Sequence, residues 1–291
     1  RSRGVTAVRA HVTVNELVEL RAFEALRKLK AELEGTFDLQ LVAFPGSPVR
    51  IEKGDSRYRL LERAIEGGAD ALGGCPNLAA DHRSLTDTLL ELAASSGLPV
   101  DFHVDESDEP DVRALEYLAD TILEGGFDLP VTAGHCTALA AVDDETAARV
   151  IGKMAKAGLR VVTLPSCNLY LMGRGDAEPK RRGITRVHEL MEAGVDVAYA
   201  SDNIRDPFRP FGNGDMLEEG LLTAQLIQYG SDEQLAKVLT MATYAAARIF
   251  GYEKFGIEEG AIADLLLIDA ESPVEALLSQ ARVHTRYKSR G

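Results

Sequence analysis

Short apolar runs alternate with amphipathic stretches along most of the chain, which predicts a series of strand–helix repeats. Residues 5–12 (VTAVRAHV) read as a strand, and residues 15–34 as a helix with Leu17, Leu20, Phe23, Leu26 and Leu29 on one face. A second strand spans 37–44 (FDLQLVAF), followed by a Pro/Gly loop and a helix near 57–66. Strands at 69–75 and 99–104 lead into helices near 84–95 and 112–124. Strands at 131–134, 160–164 and 195–199 continue the pattern, with helices at 144–157 and 185–193 between them. Gly68, Gly97, Gly158 and Gly194 each stand just ahead of a strand, where a helix is expected to stop.

Seven strands separated by helices point to a parallel sheet. There is no dinucleotide fingerprint and no doubly wound break. The expected fold class is therefore α/β, a (β/α)8 TIM-type barrel missing one strand, with an open sheet as the alternative. After Met216 the chain turns helical at 217–228 and from 232 to 250. It then changes style, and 256–269 and 281–287 read as strands of a small β appendage. The expected division is a barrel over 1–254 and C-terminal strands of a small β-sandwich domain over 255–291.

Composition narrows the function more than the fold. Hydrophobic content of 45% with 27% charged residues is ordinary globular usage, and no window is apolar for long enough to span a bilayer. A net charge of −14 argues against a nucleic-acid surface, which needs a basic face. Cys75, Cys136 and Cys167 are far apart with no C-x-x-C pair, which favours free thiols in a reducing, cytoplasmic setting. No secretory signal opens the sequence.

The candidate chemistry gathers at strand ends. Residues 98–109 (LPVDFHVDESDE) run from a buried strand into a cluster of carboxylates, with His103 as the last inward-facing polar residue and Glu106 three positions on. An imidazole and a carboxylate so placed suit a metal-bound water with a general base beside it. His135 ends the strand at 131, and Asp202 lies just past the strand ending at Tyr199. Barrel active sites are built at these C-terminal strand ends. Each residue also has a plainer reading. His103 could be a satisfied polar residue, His135 a structural histidine, and Asp202 a turn cap in Ser-Asp-Asn. His82 and His188 read as solvated, His11 either as touching the site from below or, the favoured reading, as core packing, and Asp105, Asp108 and Glu109 as a solvated acidic helix start. Arg181 and Arg182 could clamp an anion, or tie a long loop to the barrel or to a neighbouring subunit.

Several motifs together resemble the metal-dependent amidohydrolase superfamily, and within it the cytosine deaminase branch. They are VRAHVTV (8–14), LVAFP (41–45), FHVDESDE (102–109), GHCTA (134–138), NLYLMGR (168–174), PKRRGITRV (179–187) and SDNIRDPFRPFGNGDML (201–217). The resemblance implies that His103 is a metal ligand from the fifth barrel strand and Glu106 the proton shuttle. It makes His135 the histidine beside the attacked carbon, and Asp202 both a metal ligand and a base. It implies one divalent ion, zinc or Fe(II), a small heterocyclic substrate and a homo-oligomer.

Two departures stand out. The first-strand H-x-H pair of the family has no counterpart, since His11 stands in an H-V-T context on the second strand. The chain is thus expected to lack its first barrel strand and N-terminal sandwich strands. Gly46 follows V-A-F-P where cytosine deaminases resemble V-A-F-P-Q, and Asn203, the candidate substrate-binding residue, follows Asp202 where an aspartate is common. Both changes bear on ring recognition. The expected reaction is hydrolytic deamination of a cytosine-like pyrimidine, pterin or aminotriazine, with ammonia released by attack of a metal-bound hydroxide. The alternatives are hydrolysis of an N-alkylamino or cyclic amide bond, or a non-catalytic relative lacking metal.

Overall fold

The computed structural model describes residues 2–46, 50–110 and 113–288. Seven strands form one parallel sheet in chain order: β1 (Ala7–Thr13), β2 (Asp38–Phe44), β3 (Ala71–Gly74), β4 (Val100–Val104), β5 (Val131–His135), β6 (Arg160–Thr163) and β7 (Val197–Tyr199). Each pairs in parallel with its neighbour in sequence. The intervening helices are α1 (Arg21–Leu33), α2 (Ser56–Glu66), α3 (His82–Ser96), α4 (Ala114–Gly125), α5 (Asp144–Lys156), α6 (Pro165–Leu171) and α7 (Val187–Glu192). The result is the curled arc of a (β/α) barrel with β1 and β7 at its two edges, as the alternation predicted.

The pattern within β4 explains how one strand serves both core and site. Phe102 and Val104 share one face and are fully buried in the apolar core with Leu89, Leu115 and Leu118. Successive side chains alternate, so Asp101 and His103 share the other face. Gly73 on β3 permits this packing, because a Cβ there would lie 2.8 Å from the backbone oxygen of Asp101. Gly97 ends α3 with φ +68°, a left-handed stop that a side chain would disfavour.

The helical reading of residues 15–34 is corrected at its start. Asn15 accepts hydrogen bonds through Oδ1 from the backbone of Leu17 and Val18 and turns the chain before α1 begins. Leu17 is consequently 81% exposed and not part of the buried stripe. The predicted start of the helix after β4, Val112, lies outside the described residues. Two short helices escape the apolar pattern: α6 follows β6 directly, opened by Pro165, and a later one lies in the C-terminal region.

Beyond β7 come α8 (Met216–Leu226) and α9 (Asp232–Thr240), which runs through a π turn into α10 (Ala246–Phe250). The C-terminal region forms a separate antiparallel pair, β8 (Asp264–Ile268) and β9 (Val283–Lys288), with α11 (Pro273–Ser279) between them. This pair is tied to the start of the barrel sheet. Lys288 Nζ reaches Asp38 at 2.7 Å and Asp264 at 3.2 Å, and Arg286 donates to the carbonyls of Val5 and Thr36. All three cysteines are buried, and no disulfide forms among the described residues. No helix among the described residues is long and apolar enough to cross a membrane.

Candidate functional site

The ladder between β4 and β5 sets Val104 opposite His135 and His103 opposite Gly134, so the two imidazoles meet at the C-terminal end of the sheet. Their ring centroids are 4.8 Å apart, and His103 Nδ1 lies 3.4 Å from His135 Nε2. Glu106, in the loop after β4, places Oε1 at 3.6 Å from His135 Nδ1. Asp202, three residues past β7, places Oδ2 at 3.9 Å from His135 Nε2. Four residues from three strand ends therefore converge. Asn203 turns elsewhere: its Nδ2 donates to Asp206, and its Oδ1 faces the Cys167 thiol at 3.8 Å.

Burial decides the protonation of this group. His135 is 1% exposed, and loss of solvent drives its imidazole down to about 4, against the opposing charge of Asp202. His103 is likewise pushed well down by burial, and further by His11 and His135. Glu106 moves the other way, up to about 7, through burial first and then the negative charge of Asp202. Two neutral imidazoles stand beside a carboxyl that exchanges its proton near neutrality. The His103, Glu106 and His135 donor atoms lie within 4.8 Å of one another. Neutral imidazole nitrogens and a carboxylate oxygen suit a divalent ion, so the donor set fits a metal.

The backbone holds the group under strain. His135 (φ +67°), Cys136 (φ +52°) and Asp202 (φ +58°) occupy the left-handed region, which costs a non-glycine residue on the order of 1–3 kcal/mol. For Asp202 the restraint is visible. Buried Arg209 donates through Nη1 to the carbonyls of Ser201 at 3.3 Å and Asn203 at 2.9 Å, which bracket Asp202. Its Nη2 faces the buried carboxylate of Glu219 on α8 at 3.4 Å, which also accepts from Ser166 at 2.5 Å. The second oxygen of Glu219 is buried without a hydrogen-bond partner.

Beneath His103 lies a second network. His11 on β1 packs its ring 4.5 Å from that of His103 and sets Nε2 3.2 Å from Asp101 Oδ1. Arg9 donates to Asp101 at 2.8 Å, to Gln40 at 2.8 Å and to the carbonyl of Ile249 at 2.8 Å. Burial opposes ionisation of Asp101, but His11 and Arg9 outweigh it and hold the carboxyl below its ordinary value. His11 thus borders the site from below, the less favoured of the two readings its place on an inward-facing strand leaves open. Strand alternation carried the signal, since it puts Asp101 on the face of His103 and Arg9 on the face of His11.

Two further residues correct the reading of the acidic run. Asp105 is not solvated: it is 4% exposed, and its carboxylate accepts from the backbone of Ala114 and Leu115 at the start of α4. Asp108 accepts from the backbone of Gly173 at 2.6 Å. Arg181 binds Asp176 and the carbonyl of Asp108, tying the loop after α6 across to the loop after β4. Between these loops a cavity of about 420 Å³, lined by Glu106, Asp108, Met172, Asp176 and Arg181 among others, opens onto the site. His188 is exposed, as expected, and bonds Tyr229.

An amidohydrolase family model matches residues 1–286. The chain belongs to the amidohydrolase family. Among relatives, a pterin deaminase of Rhizobium rhizogenes is 34% identical over 92% of the chain and 61% of its own length. An N-isopropylammelide isopropyl amidohydrolase of a Pseudomonas species is 30% identical over 96% of the chain and 66% of its own length. The chain therefore spans under two thirds of these relatives. Among solved structures, a 5-methylcytosine deaminase from Klebsiella pneumoniae liganded with 5-fluorocytosine superposes with a TM-score of 0.93. It is 36% identical, over 99% of the chain and 70% of that structure. The amidohydrolase superfamily is metal-dependent, and His103, Glu106 and His135 form the candidate metal group of this member.

Proposed function

We propose that the protein catalyses hydrolytic deamination of a small N-heterocycle, a cytosine-like pyrimidine, a pterin or an aminotriazine, with release of ammonia. The observation that carries this reading is the convergence of His103, Glu106, His135 and Asp202, with both imidazoles neutral and Glu106 near 7. Of the donors gathered here, His103 and Asp202 would hold one divalent ion, leaving Glu106 and His135, whose atoms lie within reach of the same point, to serve the nucleophile and its protons; a mixed nitrogen and oxygen set suits zinc or Fe(II). When bound, the ion supplies an acidified water as nucleophile.

The chain's own residues then manage protons. Attack at the amino-bearing carbon builds negative charge on the ring, and Glu106 relieves it by carrying one proton of the attacking water to the ring nitrogen. Asp202 takes the remaining proton from the nucleophile, and that proton passes by way of Glu106 to the departing amine, so both protons of the water are used. His135 hydrogen-bonds the attacking oxygen as its charge changes. Asn203 reads the ring edge, on exchanging its bond to Asp206. Exposed Ile204, Phe208 and Phe211 in the loop after β7 support a homo-oligomer, and the buried thiols support a cytoplasmic setting.

A second reading, hydrolysis of an N-alkylamino bond, is supported by the N-isopropylammelide relative. Incubating the metal-loaded protein with aminopyrimidines, pterins and N-alkylaminotriazines, and assaying ammonia and alkylamine separately, decides between them. Ammonia release that chelation abolishes and zinc or Fe(II) restores is the expected result. Release of neither product from any substrate would remove both readings.

A further inference from the structure

Two asparagine side chains stand near the site with no part in the chemistry above. Asn168 lies on α6 with its amide nitrogen 2.9 Å from His135 Nδ1, and belongs to the group already described. Asn15 stands apart, at the rim beyond β1. Side chains on a strand alternate, and the contacts of Arg9 and His11 with Asp101 show which face of β1 looks inward. Thr13 continues that face, and the ladder sets it opposite Phe44 on β2. The Phe44 ring lies 5.1 Å from that of His103 and 5.6 Å from that of His11, so it walls the site on this side. Two residues farther along the two strands come Asn15 and Gly46.

At Gly46 that wall is open. Leaving out its chain neighbours, a Cβ placed there would meet two atoms of the described residues within 4 Å, Asn15 Nδ2 at 3.4 Å and Thr13 Cγ2 at 3.6 Å. A φ of +78° keeps the position for glycine. Chemistry settles which way the Asn15 amide points. Its oxygen accepts from the backbone N–H groups of Leu17 at 3.0 Å and Val18 at 3.1 Å, which can only donate, so the nitrogen is the atom turned toward the opening. With Oδ1 engaged twice, Asn15 offers the opening N–H donors alone.

We propose that Asn15 is a specificity residue: it donates from Nδ2 to an oxo group on the edge of the heterocycle that enters the opening at Gly46. It thereby selects rings with an acceptor at that edge over rings with a donor. The proposal rests on the heterocycle reading of the site, with the amino-bearing carbon at Glu106 and the far edge toward β1 and β2. An amino group at that edge would set N–H against N–H and leave both unpaired, a mismatch that a hydrogen-bonding site rejects.

Three aminopyrimidines that differ at C2 test it on the metal-loaded protein: cytosine with an oxo group, 2,4-diaminopyrimidine with an amino group and 4-aminopyrimidine with hydrogen. Calorimetric binding and ammonia release are read separately. The parent should bind cytosine at least about 10-fold more tightly than the other two. Asn15→Asp keeps the oxygen that accepts from Leu17 and Val18 but exchanges the donors for an acceptor. The order of cytosine and 2,4-diaminopyrimidine should then reverse, with the change in KM and little in kcat. Binding of 4-aminopyrimidine should not move, which a general loosening of the fold would not produce. From the opposite wall, Gly46→Ala puts a methyl group into the opening and should weaken cytosine about 10-fold. A parent that binds the three alike or binds none, an Asn15→Asp protein that keeps the parent's order, or unchanged cytosine affinity in Gly46→Ala each overturns the proposal. Binding in the expected order, reversed in Asn15→Asp but without ammonia release from any ring, leaves Asn15 as the reader of the edge and removes the proposed hydrolysis instead.

Discussion

Glu106 and Asp105 are adjacent carboxyls that burial turns to different ends. Glu106, held near 7, can give and take a proton at working pH, which an ordinary surface glutamate does poorly. In Glu106→Gln the donor and acceptor roles can no longer alternate, so turnover should fall by about 10²–10⁴-fold while metal content stays unchanged. Near-normal turnover in that variant would assign the proton transfer to another group. Asp105 caps α4 from inside the core, and burial raises it to about 6 from an ordinary 3.8, against the pull of two backbone N–H donors. The folded chain thus holds this proton more tightly than the unfolded chain. The associated stability is complete below about pH 4 and is lost as pH rises through 6. Relative to Asp105→Asn, the parent's unfolding free energy should drop by about 3 kcal/mol across that window, at 1.36 kcal/mol per pH unit. Urea unfolding of both proteins at several pH values measures it, and parallel profiles would place Asp105 in solvent.

Among elements, the joint between α6, the loop after β7 and α8 is the one that fixes Asp202. Arg209 and Glu219 meet there with little solvent on either side. Removing one member leaves the other charge buried and uncompensated, so Arg209→Met should cost about 3–5 kcal/mol. Adding Glu219→Leu should return most of that loss, because an apolar pair has no such penalty. A single variant as stable as the parent in urea would mean that the pair does not hold the loop. Neither Arg209 nor Asn168 was legible in the sequence. Asn168 meets His135 across two strands and 33 positions, and no periodicity encodes that distance. His103, His135 and Asp202 were legible because a βα repeat converts strand ends directly into spatial neighbours. Asp105 was misread because a run of acids resembles a solvated face, while its partners lie nine and ten residues on. Leu17 fitted the helical stripe, but the Asn15 turn overrides periodicity.

At the scale of the molecule, seven parallel strands in chain order carry the site at one end, and the C-terminal pair of strands fastens the other. Repeated strand–helix alternation made the arc predictable. The fastening was not, because it depends on single long side chains reaching across the fold. Lys288 and Arg286 join β9 to the beginnings of β1 and β2, on the far side of the sheet order from β7. In native-state hydrogen exchange, the first amides of β1 and β2 should therefore open together with β8 and β9, as one cooperative unit apart from β4 and β5. Lys288→Met should speed exchange at both ends of the chain at once and leave the β4 amides as slow as before. Regions separated by more than two hundred residues would then share a single opening event, and the strand bearing His11 would be only as long-lived as the tail that clasps it.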